Sequence, residues 1–132
     1  MSLELDAQGI VYNKLIANTA LMAKVTGVFD EVDQNQAMPY IALGEDVATE
    51  DDDSCSLGAS IAMTIHTFSA KKGKKETKEI QGLIKDTLHY TNETLVNSYT
   101  VGIMQEQSLS FLDADGETRH GINRIKILIR EV

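Results

Sequence analysis

The sequence predicts an α+β fold: a mainly antiparallel sheet, two helices packed on one face, and a long C-terminal hairpin. Three observations carry this. Between Leu57 and Phe68, Ile61, Met63, Ile65 and Thr67 alternate with Ala62, Thr64, His66 and Phe68, the period of a strand with one buried face. Ile80, Leu83, Ile84, Thr87 and Leu88 recur at i, i+3, i+4, i+7 and i+8, the apolar stripe of a helix lying on a layer. Asp113-Ala114-Asp115-Gly116 separates two extended runs, 101–112 and 118–132, and Asp-Gly is a strong hairpin signal.

The remaining elements follow in chain order. Asp6 is placed to cap a first helix running to about Asn18, with Ala7, Ile10, Val11 and Leu15 on one face. Leu21, Met22 and Val25 continue an apolar pattern as a short second turn before Gly27. Val28-Phe29 and Tyr40-Ile41-Ala42-Leu43 read as two short strands joined by a polar connection, with Pro39 at a strand start where its missing donor does little harm. Residues 45–53 hold six acids: Glu45, Asp46, Glu50, Asp51, Asp52 and Asp53. Like charges packed this closely predict a solvated loop. Lys71, Lys72, Lys74, Lys75 and Lys78 precede or open the helix that carries Ile80, where the helix dipole does not favour them. Gly82 within that helix allows either a close approach to the sheet or a tolerated weak point. In the last strand Ile125, Ile127 and Ile129 oppose Arg124, Lys126 and Arg130, so one face is core and the other is wet or touches a partner.

The 132 residues fit a single domain, 1–132, with enough chain to bury a core without staples. The net charge of -8 is uneven. Residues 1–70 carry eleven acids against Lys14 and Lys24, whereas residues 71–132 carry nine acids and ten bases. An acidic first half disfavours tight contact with a phosphate backbone and permits an acidic surface to meet a less acidic one on another copy. Cys55 is the only cysteine, so there is no internal disulfide and no cysteine metal cluster, and an intracellular redox setting fits. The first residues, acidic and without an apolar run, do not read as a signal peptide, and no run of about 18 apolar residues predicts a membrane span.

A search for reactive groups finds little, and the chain reads as no enzyme. His66, His89 and His120 show no metal-ligand spacing, and no cofactor motif is present. His66, in an apolar strand, reads as a hydrogen-bonded packing or face residue. An enzymatic or metal-dependent alternative needs converging polar side chains, such as His66 with His120 and an acid. Residues 113–117 lack the twelve-residue frame and flanking helices of a calcium loop. Acids 50–53 attract divalent cations only loosely. Cys55 lies among carboxylates, which opposes thiolate formation. Gly73-Lys74-Lys75 lacks the upstream glycines of a phosphate loop. The lysines read as a solvated helix start or as a contact for an acidic partner surface. What remains is binding, with Leu109, Phe111 and Leu112 near a turn and Tyr90 and Tyr99 as aromatic contact area.

The chain also resembles a family. An early helix carries Val11-Tyr12-Asn13-Lys14-Leu15, with Leu21 following. Val28-Phe29-Asp30-Glu31-Val32 resembles the family's first strand and Met38-Pro39-Tyr40-Ile41-Ala42-Leu43-Gly44-Glu45 its best-marked segment. A polar loop leads to a strand ending Thr64-Ile65-His66-Thr67-Phe68-Ser69. A bend bearing glycine and lysine, a helix over 76–88, and Leu112-Asp113-Ala114-Asp115-Gly116-Glu117-Thr118-Arg119-His120-Gly121 complete the series. In this order and texture, over nearly the whole chain, the sequence is similar to the small tail-completion proteins of tailed bacteriophages and prophages, a group similar to the phage tail-terminator proteins.

That resemblance implies a structural virion protein, assembled in the bacterial host cytoplasm and resident in the tail. Such proteins cap the head-proximal end of the tail tube as a ring, usually six-fold, that ends tube growth and joins the tail to the head connector. The alternative is a neck adaptor that joins head and tail without setting tube length. The implied partners are further copies of the chain, the tail-tube protein and a connector or neck protein, with at most transient, non-specific passage of DNA. A ring needs two different surfaces on each subunit. Glu50, Asp51, Asp52, Asp53, Lys71, Lys72, Lys74, Lys75 and Phe111 are the candidate interface or channel-facing residues. Acids facing a channel would repel passing DNA; unchanged DNA retention and ejection after neutralising Asp51, Asp52 and Asp53 would refute that placement.

Overall fold

The computed structural model describes residues 2–132. Its elements are α1 (Leu3–Ala17), α2 (Thr19–Met22), β1 (Val28–Phe29), β2 (Tyr40–Glu50), β3 (Gly58–Ser69), α3 (Lys75–Leu88), β4 (Ser98–Leu112) and β5 (Arg119–Glu131). The strands form one sheet in the order β1-β2-β3-β5-β4. Only β1 against β2 is parallel; the other pairs are antiparallel. Among the described residues no helix is long and apolar enough to cross a membrane.

The helices cover one face. Ile61, Met63 and Ile65 of β3 and Ile125, Ile127 and Ile129 of β5 form the floor of the core. Ala7, Ile10, Val11 and Leu15 of α1 and Ile80, Ile84 and Leu88 of α3 close it from above. The apolar faces expected of both helices are therefore the buried ones. α3 also buries Thr77 and Gln81 on this stripe. Gln81 Nε2 donates to the carbonyls of Leu109 at 2.8 Å and Ile122 at 3.2 Å, which satisfies a polar side chain that periodicity would place badly.

Two local expectations are corrected, and the two readings of Gly82 are decided between. The cap of α1 is Ser2, whose Oγ accepts from Leu5 N at 3.1 Å; Asp6 lies inside the helix and accepts instead from Ser98 Oγ at 2.7 Å. Gly82 faces open space, and the close approach is at Gly121, where a Cβ would lie 2.8 Å from both Gln81 and Thr77. The acidic run is not all loop. Residues 45–50 belong to β2, paired as Asp46 with Met63 through Glu50 with Ala59. The ladder holds the backbone while every side chain from Glu45 to Glu50 stays exposed, so the charges keep their water.

Candidate functional site

The face of the sheet turned away from the helices is where side chains remain available. At one end of it, residues of four strands meet in a row. β2 pairs Tyr40 with Phe68 of β3, Phe68 pairs with His120 of β5, and His120 pairs with Phe111 of β4. Period-two alternation sends all four side chains to the same face. The Phe68 and His120 rings stack with centroids 4.4 Å apart, Phe111 lies 4.8 Å from His120, and Tyr40 lies 5.2 Å from Phe68. Phe29 of β1 extends the row, edge-on to Tyr40 at 6.1 Å. Burial, with the Asp113 carboxylate adding to it, raises the Tyr40 hydroxyl above its ordinary pKa.

His66 sits one pair further along, beside this row. Its Nδ1 lies 2.7 Å from His120 Nε2, and His120 Nδ1 lies 3.0 Å from Asp113 Oδ1. His66 Nε2 lies 3.4 Å from Glu45 Oε2. The backbone makes room for this. β2 bulges between Leu43 and Asp46, setting Gly44 and Glu45 against Thr64. A Cβ on Gly44 would lie 2.5 Å from the His66 ring. Each neutral ring has one N–H. Two neutral rings therefore carry two N–H donors for the three contacts, to His120, Asp113 and Glu45. The Glu45 carboxyl is held below its ordinary value, first by its own backbone N–H and also by His66.

His66 and His120 thus do converge with two acids, the arrangement an enzymatic or metal-dependent reading requires. Their nitrogens lie at hydrogen-bonding distance of one another, and His120 lies at the same range from Asp113. Among the described residues there is no group of three or more histidine, cysteine or acidic side chains arranged to hold a metal ion. The pair braces the strands.

The acidic candidates lie at the far end. Glu50 closes β2, and Asp51 to Asp53 form the turn into β3. The turn is ordered by its own carboxylates: Asp53 Oδ1 accepts from the backbone N–H of Cys55 at 2.8 Å and of Ser56 at 2.7 Å, and Asp52 Oδ1 accepts from Gly58 N at 3.0 Å. Arg130 lies 3.6 Å from Asp51 and 3.3 Å from Asp53. The backbone donors of Cys55 and Ser56, and secondarily Arg130, hold the Asp53 carboxyl below its ordinary pKa. Cys55 is exposed and free.

Lys71, Lys72, Lys74 and Lys75 are exposed at the opposite end of β3, around the start of α3. Lys74 occupies the cap position of α3 without a side-chain capping bond. From the first to the last of its twelve residues β3 spans about 36 Å, at a rise of about 3.3 Å, which sets the acid turn and the lysines that far apart. Phe111 lies at the lysine end. The candidates therefore form two distinct regions. The histidine chain is the feature that sequence reading left as a remote alternative; only the register of β3 on β5 makes neighbours of residues 54 apart.

The comparisons with known proteins now bear on these surfaces. The sequence pattern of the family described as tail completion protein gp17 matches residues 10–130. The chain belongs to this family. A curated relative, tail completion protein gp17 of Bacillus phage SPP1, is 24% identical over 109 residues, 83% of this chain and 81% of the relative. The solved structure of bacteriophage SPP1 gp17 superposes with a TM-score of 0.61 at 22% identity, covering 91% of this chain and 86% of that one. A chain from the virion of a native gene transfer agent particle superposes more fully, with a TM-score of 0.83 at 22% identity and 91% of both chains covered. Both structural likenesses share this α+β fold. Family membership makes the protein a structural tail-completion protein, as the resemblance implied.

Proposed function

We propose that this protein forms a ring on the head-proximal end of a phage-type tail tube, ends tube growth there, and presents the ring's other side to a head connector or neck protein. The observation that carries this reading is the extent of the family match: residues 10–130 include β1 to β4, all of α2 and α3, and all of β5 but its last residue. The tail-completion pattern is therefore that of the whole sheet. The surfaces are consistent with a ring. The acid turn and the cluster from Lys71 to Lys75 lie at opposite ends of β3, about 36 Å apart, so one subunit carries two unlike surfaces, as a ring requires. The outer face adds half-buried aromatic rings, a side-chain class enriched at protein interfaces.

The test is electron microscopy of particles assembled without this protein. Termination predicts abnormally long tails without heads. Tails of normal length beside unattached heads would overturn termination and leave a joining role.

A further inference from the structure

The two edges of the sheet are each half covered, and the open halves lie diagonally opposite. On β2, the two residues of β1 cover Ile41 and Ala42, and among the described residues no strand flanks residues 46–50 beyond β3. On β4, bridges from Thr91 to Ile103 and from Thr94 to Tyr99 cover the first half, and among the described residues no strand flanks residues 105–112 beyond β5. An open strand edge is a row of donors and acceptors ready to pair with another chain.

The side chains at the two open edges are complementary, face by face. Asp46 and Glu50 pair with Met63 and Ala59, core-facing residues, so they project from the edge on the helix side of the sheet. Val47, paired with Ala62, projects on the opposite side and is 63% exposed. At the β4 edge, the helix side is a groove between α3 and the strand, lined by Lys78, Gly82, Lys85, Ser108 and Ser110 and by no acid. The opposite side there carries Leu109 and Phe111, partly exposed. Lys78 and Lys85, seven helical residues apart, are separated by about 10 Å. Asp46 and Glu50, four strand residues apart, are separated by about 13 Å. Glu106, on a bulge of β4, is the one acid on this open stretch.

We infer that the open edge of β2 in one copy adds to the open edge of β4 in the next, with Asp46 and Glu50 over Lys78 and Lys85 and Val47 against Leu109 and Phe111. The occupant of each edge is a second copy of this chain. Within one subunit β2 and β4 run in opposite directions, so rotating a copy onto its neighbour about an axis along the strands makes the new pair antiparallel, the better ladder. The contact uses two different edges, so it propagates head to tail and closes when the rotation closes. Because the open halves are diagonal, each junction is staggered along the strands, and the strands tilt to the ring axis as strands in closed sheets do.

This inference rests on the ring reading above, and its test is arranged to fail separately from it. In a Cys55→Ser background, Val47→Cys is combined in turn with Gln107→Cys, Leu109→Cys or Phe111→Cys, and tails carrying the protein are oxidised. At least one pair yields a disulfide-linked ladder ending in a closed species, while Val47→Cys with Val96→Cys does not. Separately, Asp46→Lys/Glu50→Lys and Lys78→Glu/Lys85→Glu each reduce the protein bound per tail by about tenfold or more, and the combined four-residue swap recovers it to within about threefold of native. Rings visible on tails with no cross-link from any pair and no rescue by the swap overturn the edge pairing and leave the ring standing. Tails that carry the protein but no ring overturn both.

Discussion

On the helix-covered face of β3 and β5, Ile61, Met63, Ile65, Ile125, Ile127 and Ile129 are all 2% exposed or less. On the other face the same two strands carry His66, Phe68, His120 and Lys126 half-buried and Arg124 open to solvent. The backbone ladder is shared, so the difference is entirely in what each face meets. One meets helices whose positions are set by burying apolar area. The other meets neighbouring strands and water, and holds together through ring stacking and hydrogen bonds between residues far apart in sequence. One face of the sheet is thus held by buried apolar area and the other by ring contacts and hydrogen bonds.

The largest expected effect breaks the buried face. Ile127→Ala should cost about 2–5 kcal/mol in urea denaturation, because the residue is fully buried under two helices. Its neighbour Lys126→Ala, on the other face, should stay within about 0.5 kcal/mol. Equal losses at the two positions would abolish the division of labour. A smaller effect sharpens the outer face. His120→Ala removes stacking on Phe68, the tilted ring contact with Phe111 and the bonds to His66 and Asp113, at a cost of about 1–2 kcal/mol. His120→Phe keeps the stacking and should recover about half of that loss. If the two variants melt together, the rings contribute nothing beyond the hydrogen bonds.

The smallest effect concerns the turn that joins β4 to β5. Asp115 accepts from Thr118 Oγ1 at 2.6 Å and from the backbone N–H groups of Thr118 and Glu117, each at 2.8 Å. These donors, the Thr118 hydroxyl first, lower its pKa from 3.8 to about 2. A depressed folded-state pKa means that its stabilisation is complete above about pH 3.8 and is lost as pH falls through about 2. Asp115→Asn should flatten the stability curve in that window. Titration of the native carboxyl by NMR with a midpoint near 3.8 would remove the effect.

Much of the fold was legible because its signals are local. Alternation marked β3 and β5, the i, i+3, i+4 stripe marked α3, and Asp115-Gly116 marked the turn, where Gly116 adopts φ +71°. The cap of α1 was misplaced because Ser2 and Asp6 are both good cap residues, and only the tertiary bond from Ser98 to Asp6 shows which one is occupied elsewhere. For acids 45–50, charge density argues against burial and predicts a loop. They are strand because β3 supplies a ladder that demands no burial of their side chains.

By itself, then, the sequence determined the fold class, the buried faces and a family resemblance spread over the chain, since each depends on residue types at short, fixed spacing. Register and sheet order alone decided that Phe68, His66, His120 and Phe111 share one row, that the acid turn and the lysines lie at opposite ends of β3, and that each edge strand is left half open. These are relations between segments tens of residues apart. Side-chain pattern fixes which way a residue points, but only the folded sheet fixes what it points beside.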